Sequence, residues 1–163
     1  MTAKSPMFLR NTVVFMTLAN DAPPASRTAD RFASDCRVLR HGSAELVALA
    51  EARLRADPAD PSRYRAILAG LFDQPGGDRI DTIVNACTHF PLVERELRAA
   101  APHPVAFVDG SAGIARRIAF LTEGQAWPVI APPGLAVFTG GVSDAARLGD
   151  ALAGHGLTTV ETL

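Results

Sequence analysis

The sequence predicts an α/β fold built on a parallel sheet, on three observations. Short apolar runs alternate with longer amphipathic stretches, the pattern of strands buried on both faces and joined by helices. Several amphipathic stretches open on a capping residue or a proline and are followed by glycine or proline. The 163 residues accommodate one compact domain plus part of another, but not two full α/β domains.

The first strand is predicted at Val13-Val14-Phe15-Met16. The apolar stretch Thr12 to Ala19 around it is short and is followed by Asp21 and two prolines, so it reads as a strand and not as a signal peptide or membrane span. Ser43 to Leu54 sets Leu46, Leu49, Ala50 and Leu54 on one stripe of a helix capped by Ser43. Ser62 to Phe72 repeats the pattern with Ile67, Leu68 and Leu71, until Gln74-Pro75-Gly76-Gly77-Asp78 stops it and turns the chain into a strand over Ile80 to Ala86. A helix is expected over Pro91 to Ala100, since a proline in the first turn loses no hydrogen bond. Val105 to Val108 then forms a strand and Ser111 to Leu121 a helix. The proline-rich stretch Gly124 to Gly134 reads as a loop, before a strand at Leu135 to Phe138, a helix at Ser143 to Ala153 and a strand at Leu157 to Val160.

The net charge of -1 and the scattered arginines offer no basic face for nucleic acid, which points to a small-molecule partner. Cys36 and Cys87 have neither the density of a disulfide scaffold nor C-x-x-C spacing. They read as free thiols in a reducing compartment, and a cytoplasmic protein is expected.

Cys87 falls at the carboxyl end of a predicted strand and shortly before a predicted helix, where open α/β sheets place their ligands. A thiol there lies near unpaired N–H groups that favour the thiolate. Thr88 adds a hydroxyl and His89 an imidazole, serving a carboxylate and a proton. Taken alone, Cys-Thr-His reads better as a small buried thiol, a helix cap and a structural histidine. A metal site is disfavoured, because His41, His103, His155 and Cys36 show no spacing that completes a tetrahedron. Asp109-Gly110-Ser111-Ala112-Gly113 lacks the order of a phosphate loop and reads as a strand followed by a Ser-capped helix. His41 reads as a surface turn residue.

The longer string Asn85-Ala86-Cys87-Thr88-His89-Phe90-Pro91-Leu92 resembles the C-T-H-aromatic-P-L segment of glutamate racemases. Ser34-Asp35-Cys36-Arg37-Val38 with Gly42-Ser43 and Leu46-Val47 is similar to the strand and helix preceding that segment in the family. Phe107-Val108-Asp109 with Gly113 to Arg117 is similar to those after it, and Phe138-Thr139-Gly140 to the closing strand. The resemblance runs from about residue 10 to the end.

It implies a parallel-sheet sandwich of the aspartate/glutamate racemase type. Residues 8–109 would form the second racemase-like domain, and residues 110–163 a returning segment of an otherwise missing first domain. It implies cofactor-independent interconversion of L- and D-glutamate for peptidoglycan synthesis by two opposed thiol acid/bases. Cys87 would be one of them, with His89 assisting proton transfer and Thr88, Thr17 and Asn20 binding substrate. The family's glycine-rich Asp-Ser turn and first cysteine have no counterpart in the sequence. Cys36 is a poor replacement, since its neighbours match a structural segment and it precedes a strand. A homodimer opposing two Cys87 thiols is conceivable, but no sequence feature supports it. The alternative is a truncated, inactive relative that binds an acidic amino acid or a partner chain. Many relatives carry an acidic residue where this chain has Leu18, and its loss implies a less well oriented His89.

Overall fold

The computed structural model describes residues 12–17, 36–139 and 145–163. Its larger unit is a four-stranded sheet in the order β2-β1-β3-β4, formed by β1 (Thr12–Thr17), β2 (Arg37–Gly42), β3 (Ile80–Asn85) and β4 (Ala106–Asp109). All three pairings are parallel. The expected α/β class and parallel sheet are therefore observed.

Two helices connect β2 to β3. Helix α1 (Ala44–Leu54) is capped by Ser43, whose Oγ accepts from the Leu46 backbone N–H at 3.1 Å. Helix α2 (Pro61–Phe72) opens on a proline and is capped by Asp60, which accepts from the Ser62 N–H at 2.7 Å. The 3₁₀ turn Gly77–Arg79 then leads into β3. The apolar stripes read from the sequence form the core. Leu46, Leu49 and Ala50 of α1 join Ile67, Leu68 and Leu71 of α2, Leu39 and Ile83 of the sheet, and Phe90, Val93 and Leu97 beyond it. Each fully buried side chain of this size contributes about 1.5–3 kcal/mol.

One helix departs from expectation in a way that matters for the thiol. The segment expected as a helix over Pro91 to Ala100 begins as a 3₁₀ turn, Phe90–Val93, and becomes α-helical only in α3 (Glu94–Ala100). Phe90 and Val93, three residues apart, are both fully buried. A three-residue turn stacks such positions and directs both inward, whereas an α-helix would splay them.

Helix α4 (Ser111–Leu121) follows β4, and a second, two-stranded parallel sheet pairs β5 (Gly134–Phe138) with β6 (Leu157–Thr162), with α5 (Ala145–Gly154) between them. None of the described residues after Val105 is buried, and every residue of α4 is exposed. Ile114, Ile118, Phe120, Leu121, Trp127 and Ile130 are each more than half exposed. Arg147 of α5 pairs with Asp57 of the α1–α2 connection.

Candidate active site

The strand order creates a crevice. From β1 the chain goes to β2 on one side, and from β2 it returns past β1 to β3 on the other. The connections thus diverge at the carboxyl ends of β1 and β3, the switch point where α/β sheets bind ligands. Cys87 lies there, two residues beyond the end of β3. Thr17, the last residue of β1, pairs with Gly42, one register step beyond the Met16–Asn85 pair. The topology therefore sets Thr17 beside the turn that carries Cys87, one strand spacing away. Asn20 and Leu18 lie outside the described residues.

Within the turn, the half-buried Cys87 Sγ is 3.8 Å from Nδ1 of His89. The other imidazole nitrogen, Nε2, is 3.7 Å from Oε1 of Glu51 on α1. With the ring proton on Nε2, facing the carboxylate, Nδ1 presents a lone pair to the thiol. The imidazole can then accept the thiol proton, with the Glu51 carboxylate facing its other nitrogen. Thr88 is exposed at the same turn.

Two expectations are corrected by this geometry. His89 does have an acidic neighbour, because Glu51 reaches it from α1, whatever residue stands at position 18. Sequence reading passed over Glu51, which sits on a regular amphipathic helix; its exposed place on α1 next to the buried Ala50 was the available signal. The second correction concerns Cys87, which is not at the N-terminus of an α-helix. Helix α3 starts at Glu94 and the intervening turn is 3₁₀, so the thiol's polar partner is the imidazole.

The other sequence candidates are also placed. Cys36 directly precedes β2, level with the amino end of β3, whereas Cys87 follows the carboxyl end of β3. Seven residue levels at ~3.3 Å separate the two thiols by about 20 Å along the strands, so they cannot flank one substrate. His41 is not a turn residue. It lies within β2, half-buried against Gly70, and desolvation lowers its pKa below the ordinary 6.5. Asp109, not Ser111, shapes the start of α4: its carboxylate accepts from the Ser111 N–H at 2.7 Å. That bond holds the Asp109 pKa below its usual value, and a carboxylate already occupies the place an anion would take.

No family model matches the chain. It is 53% identical over 133 residues to a glutamate racemase of Sphingopyxis alaskensis, a match covering 82% of this chain and 50% of that protein. It is 42% identical over 104 residues to a glutamate racemase of Klebsiella pneumoniae, covering 64% of this chain and 36% of the relative. The chain thus spans half or less of the length of these curated relatives. Among solved structures, it resembles Escherichia coli glutamate racemase in complex with L-glutamate and the activator UDP-MurNAc-ala, with a TM-score of 0.82 and 32% identity. That match covers 94% of this chain and 58% of the other. A glutamate racemase isoform from Bacillus anthracis shares the fold, with a TM-score of 0.64 and 18% identity. By sequence and by fold, the chain is similar to the glutamate racemases over about half of their length.

Proposed function

We propose that this chain carries one half of a cofactor-independent glutamate racemase site, with Cys87 as a thiol acid/base. The supporting observation is the relay Cys87 Sγ–His89 Nδ1–Glu51 at the carboxyl end of the sheet, with steps of 3.8 and 3.7 Å. His89 takes the thiol proton, the thiolate removes the α-proton of glutamate, and the carbanion is reprotonated. Thr88, Thr17 and Asn20 bind the substrate's polar groups. Inversion needs a second acid/base on the opposite face, which in this reading is a residue other than Cys36. Residues 110–163 belong, in this reading, to a second α/β domain whose remainder covers their apolar side. The reaction would supply D-glutamate for peptidoglycan in the cytoplasm.

A single thiol can still exchange the α-proton on one face. In D₂O, the chain is expected to incorporate deuterium at Cα of glutamate, and Cys87→Ser is expected to lower that rate by about 10²-fold or more. Absence of exchange at high protein concentration, or equal exchange in Cys87→Ser, overturns the acid/base role. The exposed apolar surface of α4 and the following loop favours a second reading, a non-catalytic relative that binds a partner chain or an acidic amino acid. Calorimetric binding of glutamate or aspartate without exchange is its signature.

A further inference from the structure

Asn85 is the last residue of β3 and borders the crevice between β1 and β3. Only 4% of it is exposed, and its Oδ1 and Nδ2 both lack a hydrogen-bond partner among the described residues. Buried polar side chains are nearly always paired, because a buried donor or acceptor without a partner carries its full desolvation cost. An apolar residue would fill this position without that cost, as Ile83 does two positions earlier on the same face of the strand. The amide also stands at the topological switch point, two residues before Cys87, where the fold places a ligand.

We propose that Asn85 is a substrate-binding residue of the Cys87 site, its carboxamide receiving the head group of an α-amino acid. This rests on the amino-acid substrate of the reading above. The chemistry is complementary: Nδ2 donates to the α-carboxylate and Oδ1 accepts from the α-ammonium, so one zwitterion satisfies both unpaired atoms. The amide is covered in the ligand-free chain. Its neighbours on the carboxyl side, Ala86 and Thr88, are exposed, and the Cys87 turn is closed by a Phe90 N–H to Cys87 carbonyl bond of 3.2 Å. A displacement of that short turn is the route by which the head group reaches the amide.

The test combines binding and spectroscopy on the full chain. In ¹⁵N-labelled protein, the Asn85 side-chain NH₂ resonance is identified by its loss in Asn85→Leu, a variant of similar volume without polar atoms. Titration with L-glutamate is expected to shift that resonance along the same saturation curve as the Thr88 backbone amide. In calorimetry, Asn85→Leu is expected to weaken glutamate binding about 10-fold or more while its melting temperature stays equal or rises, since an unpaired buried amide has been removed. An NH₂ resonance that does not move while Thr88 shifts overturns the inference and leaves the Cys87 reading intact, as does an Asn85→Leu variant that binds within two-fold of the parent. Failure of the parent chain to bind glutamate at all overturns both. Should Asn85→Leu not fold, Asn85→Asp assigns the resonance, and the titration of the parent decides alone.

Discussion

The 3.7 Å from His89 Nε2 to Glu51 changes what the Cys-Thr-His turn can do. Cys87 and His89 were legible in the sequence because they are two residues apart. Glu51 was not, since its proximity depends on how α1 packs over the sheet. Replacing Glu51 by Gln keeps the shape and removes the carboxylate charge that faces the imidazole. Deuterium exchange at Cα of glutamate is expected to fall about 10-fold, consistent with the loss of a group that orients a reacting histidine, and unchanged exchange would show that Glu51 is only a surface carboxylate. His41 supports a prediction on pH. Burial lowers its folded-state pKa below 6.5, so as pH falls the unfolded chain binds this proton first. The stability His41 permits is therefore present above about pH 6.5 and is lost as pH falls toward the depressed folded value. Urea midpoints measured between about pH 7.5 and 5.5 should fall in the parent, and His41→Gln should flatten that dependence.

Local chemistry marked some helix starts and not others. Ser43 caps its helix as expected, whereas α2 opens at Pro61 behind Asp60, one residue before the expected Ser62, and Ser111 begins α4 without capping it. The 3₁₀ turn at Phe90–Val93 was not legible, because Pro91 opens either kind of helix and only the burial of Phe90 and Val93 on one side distinguishes them. The end of α1 offers a test. Asp57 N–H bonds the Ala52 carbonyl at 2.9 Å and Ala56 N–H the Arg53 carbonyl at 3.2 Å, a helix-terminating turn that needs a left-handed residue between. Ala56 fills that place with φ 59°, where a Cβ costs about 1–2 kcal/mol. Ala56→Gly removes the clash but adds backbone freedom to the unfolded chain, worth roughly 0.5–1 kcal/mol. A net gain of about 0.5 kcal/mol is expected in chemical denaturation, and a clear loss would mean that the strain is absent.

At the scale of the molecule, the sequence supported a parallel α/β sheet but not its strand order. Apolar runs such as Val13 to Met16 and Ile80 to Val84 show only that strands are buried, and their neighbours are decided by how the connections cross. Nor did the pattern separate the two halves of the chain. The stripe on Ser111 to Leu121 reads like that on Ser43 to Leu54, yet α1 buries its apolar face and α4 leaves Ile114 and Ile118 open at 60% and 55% exposure. Periodicity records which face seeks a partner and not whether this chain contains one. Such a surface favours association. Sedimentation velocity should show concentration-dependent self-association, reduced in a double Ile114→Lys, Ile118→Lys variant. A parent chain that stays monomeric over a wide concentration range would contradict this.

The placement of Cys36 and Cys87 at opposite ends of one sheet also governs how the chain responds to oxidants. A disulfide needs Cα atoms within about 7 Å, so these two sulfurs cannot close a bridge within one folded molecule. Oxidised Cys87 would have to resolve through a thiol from outside the chain, such as glutathione, or progress to the sulfinic acid. The same separation suits the pair to fluorescence energy transfer, since dyes attached to the two sulfurs would report any fraying of the sheet as a change in length along its strands.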